Sequence, residues 1–260
     1  MIAWFESLPT AIAGIFVVGG FVVSTLVLGY IVSKVTSQEI RAAHTDRAGF
    51  ILAVIGVVYA VLLAFVAIGV WERFQVAEER TFEEAGALAN VYRDSESFPN
   101  SGRLRATVRA YLRSVITDEW PKMNRGQDSA ISNTLLEAAD RDIRALPVTS
   151  PRLQNIAAQM LVSIDTALAD RQERLTIDFI GINPIMWIVL IVGAYVTVAY
   201  TYLFGFDRTV MQQLMIGGLS LVIGLVIFLV MALDYPYRGS ISVEPNAFSS
   251  LLTSLDLIGR

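Results

Sequence analysis

The sequence predicts an all-α integral membrane protein, with four transmembrane helices and a helical bundle between spans 2 and 3 that is formed partly by extensions of those spans. Three observations carry this. Charged residues make up 17% of the 260-residue chain, where soluble domains average about a quarter, and the mean hydropathy is +0.55. Four apolar stretches each run about twenty residues without a charge, enough to cross a hydrocarbon core of roughly 30 Å. The polar middle, residues 72–182, repeats its apolar positions at helical spacing and shows no alternating strand pattern.

The first span is expected over residues 8–33, with Pro9 and Thr10 near its start. The segment before it, "MIAWFESLPT", has no Lys or Arg, and no small-residue cleavage site follows the stretch. A retained helix is therefore expected rather than a secretory signal. Span 2 is expected over 50–71, span 3 over 185–204 and span 4 over 212–233. In lipid every backbone group must be satisfied within the segment, so each has to be a helix. Trp4, Tyr30, Trp71, Trp187, Tyr202 and Tyr235 stand near the span ends, where aromatic side chains favour the interface.

The segment "RAAHTDRAGF" reads as a loop between spans 1 and 2. Span 2 runs without a stop into "WERFQVAEERTFEEAGALANVYR". Glutamate is a good helix former, and leaving the bilayer needs no break in the backbone ladder. Phe74, Ala77, Thr81, Ala85, Leu88 and Tyr92 give the first apolar stripe. Leu104, Val108, Tyr111 and Val115 give a second, expected to stop at Pro121. Ile131, Leu135, Ala139, Ile143 and Leu146 give a third, stopped at Pro147. The fourth starts at "TSPRL", with Ser150 as N-cap and Pro151 in the first turn. It is expected to reach about Gly181 and to break at "GINP" before span 3. Residues 234–260 mix Pro, Gly and aromatics and are expected to form a structured segment packed at the membrane edge.

Several function classes are excluded. A net charge of -4 gives no basic footprint for nucleic acid. There is no cysteine, hence no disulfide framework. No dinucleotide fingerprint, phosphate loop, HExxH or GxSxG occurs, so no enzyme activity and no cofactor are expected. The single histidine, His44, has Asp46 beside it. A metal or pH-sensing role is open to it, but a loop hydrogen bonder is the stronger reading, and no metal site is assigned.

Small residues on span 2, Gly56, Ala60 and Ala64, lie at i, i+4 and i+8. Such a face suits close helix packing or a narrow pore wall. Beyond the span, Glu72, Glu78, Glu79, Glu83 and Glu84 form an acidic run. It is either a solvated bundle face or, in a symmetric oligomer, a set of carboxylate rings that attract cations as an acidic vestibule. Arg105, Arg109 and Arg113 share a helical face and are expected to pair with these glutamates across the bundle.

Two segments resemble the bestrophins, four-span anion channels with a helical domain between spans 2 and 3. Gly86, Leu88, Asn90 and Arg93 stand in a Gly-x-Leu-x-Asn-x-x-Arg pattern, and Asp234, Pro236 and Tyr237 stand in the acid-x-Pro-aromatic pattern after the last span. The chain is more similar still to a bacterial bestrophin-like family, through "GVVYAVLLAFVAIGVWERF", "EEAGALANVYR", "DEWP" and "YPYRGSISV". The resemblance implies a homo-oligomeric ring, with a pentamer favoured, in which span 2 lines an ion pore. The implied lining residues are Ala60, Val61, Ala64, Phe65 and Gly69. The acidic clasp that holds calcium in animal bestrophins has no match after Tyr237 beyond Glu244, so calcium gating is not implied. The alternative is a membrane-anchored sensor or scaffold whose bundle binds a ligand or partner.

Topology is drawn two ways. Lys34, Arg41, Arg47 and Arg208 in the short connections favour an outward-facing bundle, whereas the resemblance favours a bundle and termini in the cytoplasm of a bacterial inner membrane. The second is adopted.

Overall fold

The computed structural model describes residues 10–204 and 209–258. Trp4, Pro9 and Arg208 lie outside the described residues, as do the side chains of Thr10, His44, Asp46 and Arg47. Among the described residues the chain is helical without a strand. In chain order the helices are α1 (Thr10–Val35), α2 (Gln38–Ser95), α3 (Gly102–Ser114), a π turn (Val115–Glu119), α4 (Trp120–Met123), α5 (Ala130–Arg144), α6 (Pro151–Phe179), α7 (Pro184–Thr201), α8 (Thr209–Leu233) and α9 (Asn246–Ile258). Four of these, α1, α2, α7 and α8, contain windows apolar and long enough to cross a membrane.

The stretch expected as a loop between spans 1 and 2 is helical from Gln38. Gln38, Glu39, Arg41, Ala42, Ala43, Arg47 and Ala48 are good helix formers that outnumber the weaker His44, Thr45, Asp46 and Gly49, and a short break at 36–37 suffices to turn the chain. Helix α2 then runs 58 residues without interruption.

The chain divides into two compact units. The first comprises residues 1–72 and 182–234. Within it α1 packs along α8. Gly29 allows this closeness, since a Cβ there would meet Ile216 at 2.9 Å and the Tyr202 ring at 3.1 Å. The buried and half-buried polar contacts of this unit are mostly hydroxyls. Thr25 and Ser220 are hydrogen-bonded at 2.8 Å, Ser24 and Tyr195 at 2.9 Å, and Tyr202 donates to the Thr25 carbonyl at 2.9 Å.

The second unit comprises residues 73–181 and 235–260. Its core is built from Leu88 and Val91 of α2, Leu104, Val108 and Leu112 of α3, Leu136 and Ile143 of α5, Met160 and Ile164 of α6, and Phe248 of α9. Ser129 and Ser150 cap α5 and α6 by accepting from the amides of Ser132 and Leu153. Ser150 with Pro151 thus starts α6 as its sequence indicated.

Pro121 does not stop the helix it follows. The chain widens into the π turn and continues as α4, with Pro121 in its first turn. A proline ring collides with the carbonyl four residues back in a regular helix, and a wider turn relieves that collision. After α6 the expected break is present, because α7 restarts at Pro184 with Asn183 accepting from the Ile185 amide. Gly181 lies in the break, where a Cβ would fall 2.5 Å from the Tyr235 hydroxyl.

Candidate functional site

On the membrane part of α2, Tyr59, Leu63, Val66 and Val70 are buried. They recur at i, i+4, i+7 and i+11 and so form one stripe. Tyr59 donates to the Leu190 carbonyl at 3.0 Å, and its ring lies where a Cβ on Gly193 would be, 2.6 Å away. Much of the rest of the span is uncovered within the chain, while Leu52, Ile55, Leu62, Ala67 and Gly69 are half-buried. Ala60, Val61, Ala64 and Phe65 are exposed, with Phe65 at 71%, and Gly69 has nothing within 4 Å of a built Cβ. Gly56 is likewise open.

Glu72, Glu78, Glu79 and Glu83 are exposed. Arg80 pairs with Glu83, lies 2.9 Å from Glu173 and reaches Asp170 at 3.4 Å. Burial raises the pKa of Asp170, helped by Glu83 and opposed by Arg80.

Glu84 does not belong with the other four. It is fully buried, and its carboxylate receives Arg174 at 2.9 and 3.3 Å and the Tyr111 hydroxyl. It therefore cannot present charge to a vestibule. Its position explains this: Ala77, Thr81, Glu84, Leu88 and Val91 recur at i, i+4, i+7, i+11 and i+14, the inward face of α2.

Glu84 opens a cluster that the acidic run concealed. Arg174 also donates to Glu119 at 2.6 Å, and Arg171 donates to the same carboxylate at 2.7 and 3.2 Å. Arg171 further reaches Asn133 and the Ser129 carbonyl. The Arg174 guanidinium lies 5.0 Å from the Trp120 ring and 5.7 Å from the Phe248 ring. Two carboxylates and two guanidinium groups thus neutralise each other. Burial pushes the Glu84 pKa up against the pull of Arg174. Burial acts the same way on Glu119, but Arg174 and Arg171 together outweigh it and hold Glu119 below its ordinary value. Burial and Glu84 keep Tyr111 protonated. Burial opposes the charge on Arg174, yet the two carboxylates raise its pKa well above the ordinary arginine value. Such an arrangement ties α2, the π turn and α6 together. Its atoms are sealed from solvent, so it fastens the bundle and leaves no room for a substrate.

Two of the three arginines in the α3 row, Arg109 and Arg113, pair elsewhere than expected. Arg109 donates to the Leu255 carbonyl at 2.8 Å, and Arg109 and Arg113 lie 3.9 and 3.7 Å from Asp256. The partner is α9, which sequence spacing could not place over α3.

The seven residues of the two family patterns have separate duties. Gly86 is exposed and lines an open, mainly apolar groove of ≈ 440 Å³ between α2 and α9, with Phe82, Ala89 and Leu251. Leu88 is core. Asn90 accepts from Arg93 at 2.6 Å on the surface. Asp234 accepts from the Ile182 amide at 2.7 Å. The Pro236 carbonyl accepts from Val243, and Tyr237 donates to the Ala77 carbonyl at 2.7 Å. Among the described residues no group of His, Cys, Asp or Glu is placed to hold a metal ion.

The model of the bestrophin-like domain family matches residues 19–248. No curated protein matches the chain. Solved structures match over most of its length. A point-mutant form of a bacterial bestrophin homologue from Klebsiella pneumoniae has a TM-score of 0.67 at 14% identity, covering 92% of this chain and 99% of that one. Another form of the Klebsiella homologue gives 0.68 at 14% identity over 90% and 98%. A structure described as a membrane protein, also a point mutant, gives 0.70 at 13% identity over 92% and 97%.

Proposed function

The chain belongs to the bestrophin-like domain family, and on that premise we propose that it is an ion channel of the bacterial inner membrane, assembled as a ring of identical subunits around the uncovered face of α2. One observation carries the reading. The span of α2 buries a single narrow stripe and leaves Val61, Phe65 and Ile68 open at 50%, 71% and 54%. These recur at i, i+4 and i+7, and Glu72 follows four residues later. An apolar constriction followed by carboxylates is a pore lining of known type, in which the apolar part gates by dewetting and the acidic ring selects cations. Ala60, Ala64 and Gly69 complete the lining set, and Glu78, Glu79 and Glu83 continue the acidic surface. A pentamer is the favoured ring, with bundle and termini in the cytoplasm. A second reading, a sensor whose bundle takes a partner, draws on the open groove at Gly86.

Native mass spectrometry from nanodiscs comes first, then cation flux in liposomes. A ring of five subunits with flux, increased by Phe65→Ala and blocked by Ala60→Trp, is the expected result. A monomer or dimer without flux would leave no axis for a pore and would favour the sensor.

A further inference from the structure

Residues 235–245 leave span 4 as a non-helical strap across the bundle. It is held at four points. Tyr237 donates to Ala77 of α2, and its ring meets Trp120 edge-on at 5.6 Å. Trp120 donates its indole N–H to the Val243 carbonyl at 3.1 Å. The Gly239 amide donates to Asn124 at 3.3 Å. Arg238 donates through Nε to Asp178 Oδ1 at 3.0 Å and through Nη2 to the Asp178 carbonyl at 2.7 Å, at the end of α6. The first two holds are buried. The last two sit at the strap's tip.

Arg238 occupies a made-to-measure slot. Its guanidinium lies 4.5 Å from the Tyr235 ring on one side. On another side stands Gly126, at φ 69°, where a Cβ would fall 2.9 Å from Nη2. Only glycine both tolerates that backbone and leaves the space. At the floor lies Asp178, fully buried, with Oδ2 lacking any hydrogen-bond partner. An ionised carboxylate with one oxygen unsatisfied is costly to bury.

We propose that Asp178 and Arg238 form a proton-released latch: protonation of Asp178 cancels its ion pair with Arg238, leaves Arg238 only the bond to the Asp178 carbonyl at the end of α6, and so lets the tip of the strap leave the bundle, while Tyr237 and Trp120 keep its root in place.

Burial raises the Asp178 pKa, opposed by the hydrogen bond and charge of Arg238 and by Arg174 of its own helix. Tyr237 is held protonated by burial. Arg73 of α2 is engaged by the Ile180 carbonyl, and Lys122, near Gly126, by Asp118. A carboxyl whose folded pKa is raised takes up a proton more readily in the fold than in the unfolded chain. Its contribution to stability is present at low pH and lost as pH rises through the folded pKa. Acidification therefore relieves a buried charge and releases the strap without unfolding the bundle through this group.

The chain has no cysteine, so Ile241→Cys, at an exposed strap position, accepts a single nitroxide label on the full protein in nanodiscs. Its mobility is read by electron paramagnetic resonance from about pH 8 to about pH 4.5, a range that spans the titration of a carboxyl raised above its ordinary value. The expected result is an immobile label at the upper end and a mobile fraction several-fold larger at the lower end. In Asp178→Asn and, independently, in Arg238→Gln, the label is mobile throughout. A label equally immobile at both ends, mobile at both ends in the parent protein, or pH-responsive in Asp178→Asn overturns the latch. The readout needs no conduction, so absent flux would count against the channel and leave the latch standing.

Discussion

The two units solve the same problem, a buried polar group, with different chemistry. In the membrane unit the interhelix contacts among α1, α7 and α8 are neutral: Thr25 with Ser220, Ser24 with Tyr195, Tyr202 with the Thr25 carbonyl. In the bundle unit they are ionic: Glu84, Glu119, Arg171 and Arg174. Hydrocarbon makes an ion expensive wherever the helix stands, so hydroxyls suffice there. In the bundle the unfolded chain hydrates its charges, so burial is tolerable only if every ion is matched. Arg41 is buried in the membrane unit, donating to Gln212 at 3.0 Å, but it stands three residues into α2 and not in mid-span. Neutral contacts can be lost singly at little cost. An ionic network cannot lose one member without stranding the others.

That contrast sets the size of the expected effects. Arg174→Met should be the most damaging, because it leaves Glu84 and Glu119 buried without their shared partner. Removing one side of such a pair costs about 3–5 kcal/mol, measured as a fall in thermal stability of the protein in detergent. A loss within experimental error would mean that packing, and not charge, fastens the bundle. Gly193→Ala tests the membrane unit by shape, since the added methyl must displace the Tyr59 ring. Overpacking of this kind costs about 1–3 kcal/mol. An unchanged melting temperature would show that α2 and α7 can slide apart freely at that point. Thr25→Val should do least. Hydrogen bonds between membrane helices average about 0.6 kcal/mol, and a larger loss would erase the distinction between the two units.

Much of the fold was legible. Uncharged runs long enough to span a bilayer admit one backbone solution, which is why the four apolar helices could be read directly. Ser150–Pro151 marked a helix start and "GINP" a break because their chemistry is local. What escaped was set by distant partners. The polar residues after Gln38 look like a loop until the helix they begin is seen. Pro121 reads as a stop unless a wider turn accommodates it. The acidic run after span 2 hid one inward carboxylate among outward ones. The signal was present: Glu84 interrupts an apolar stripe on α2, and Arg171 and Arg174 continue the stripe of Met160, Ile164 and Ala167 on α6. A charge in a core stripe asks for a partner, but spacing alone could not show that α6 and the π turn supply it. The latch was hidden for the same reason, since Gly126, Asp178 and Arg238 belong to three separate stretches.

The π turn has a consequence for how this chain tolerates change. One extra residue in a helix acts as a phase shift, rotating everything beyond it by about 100° relative to a regular continuation. Trp120 and Met123 owe their inward direction to that shift. A single-residue deletion between 115 and 119 would bring back the collision of Pro121 with the carbonyl four residues before it and carry Trp120 off the Tyr237 and Phe248 rings. In this turn the length is fixed together with the identity of buried Val115 and Glu119, so exposed Thr117 should bear substitution far better than the turn bears any change in length.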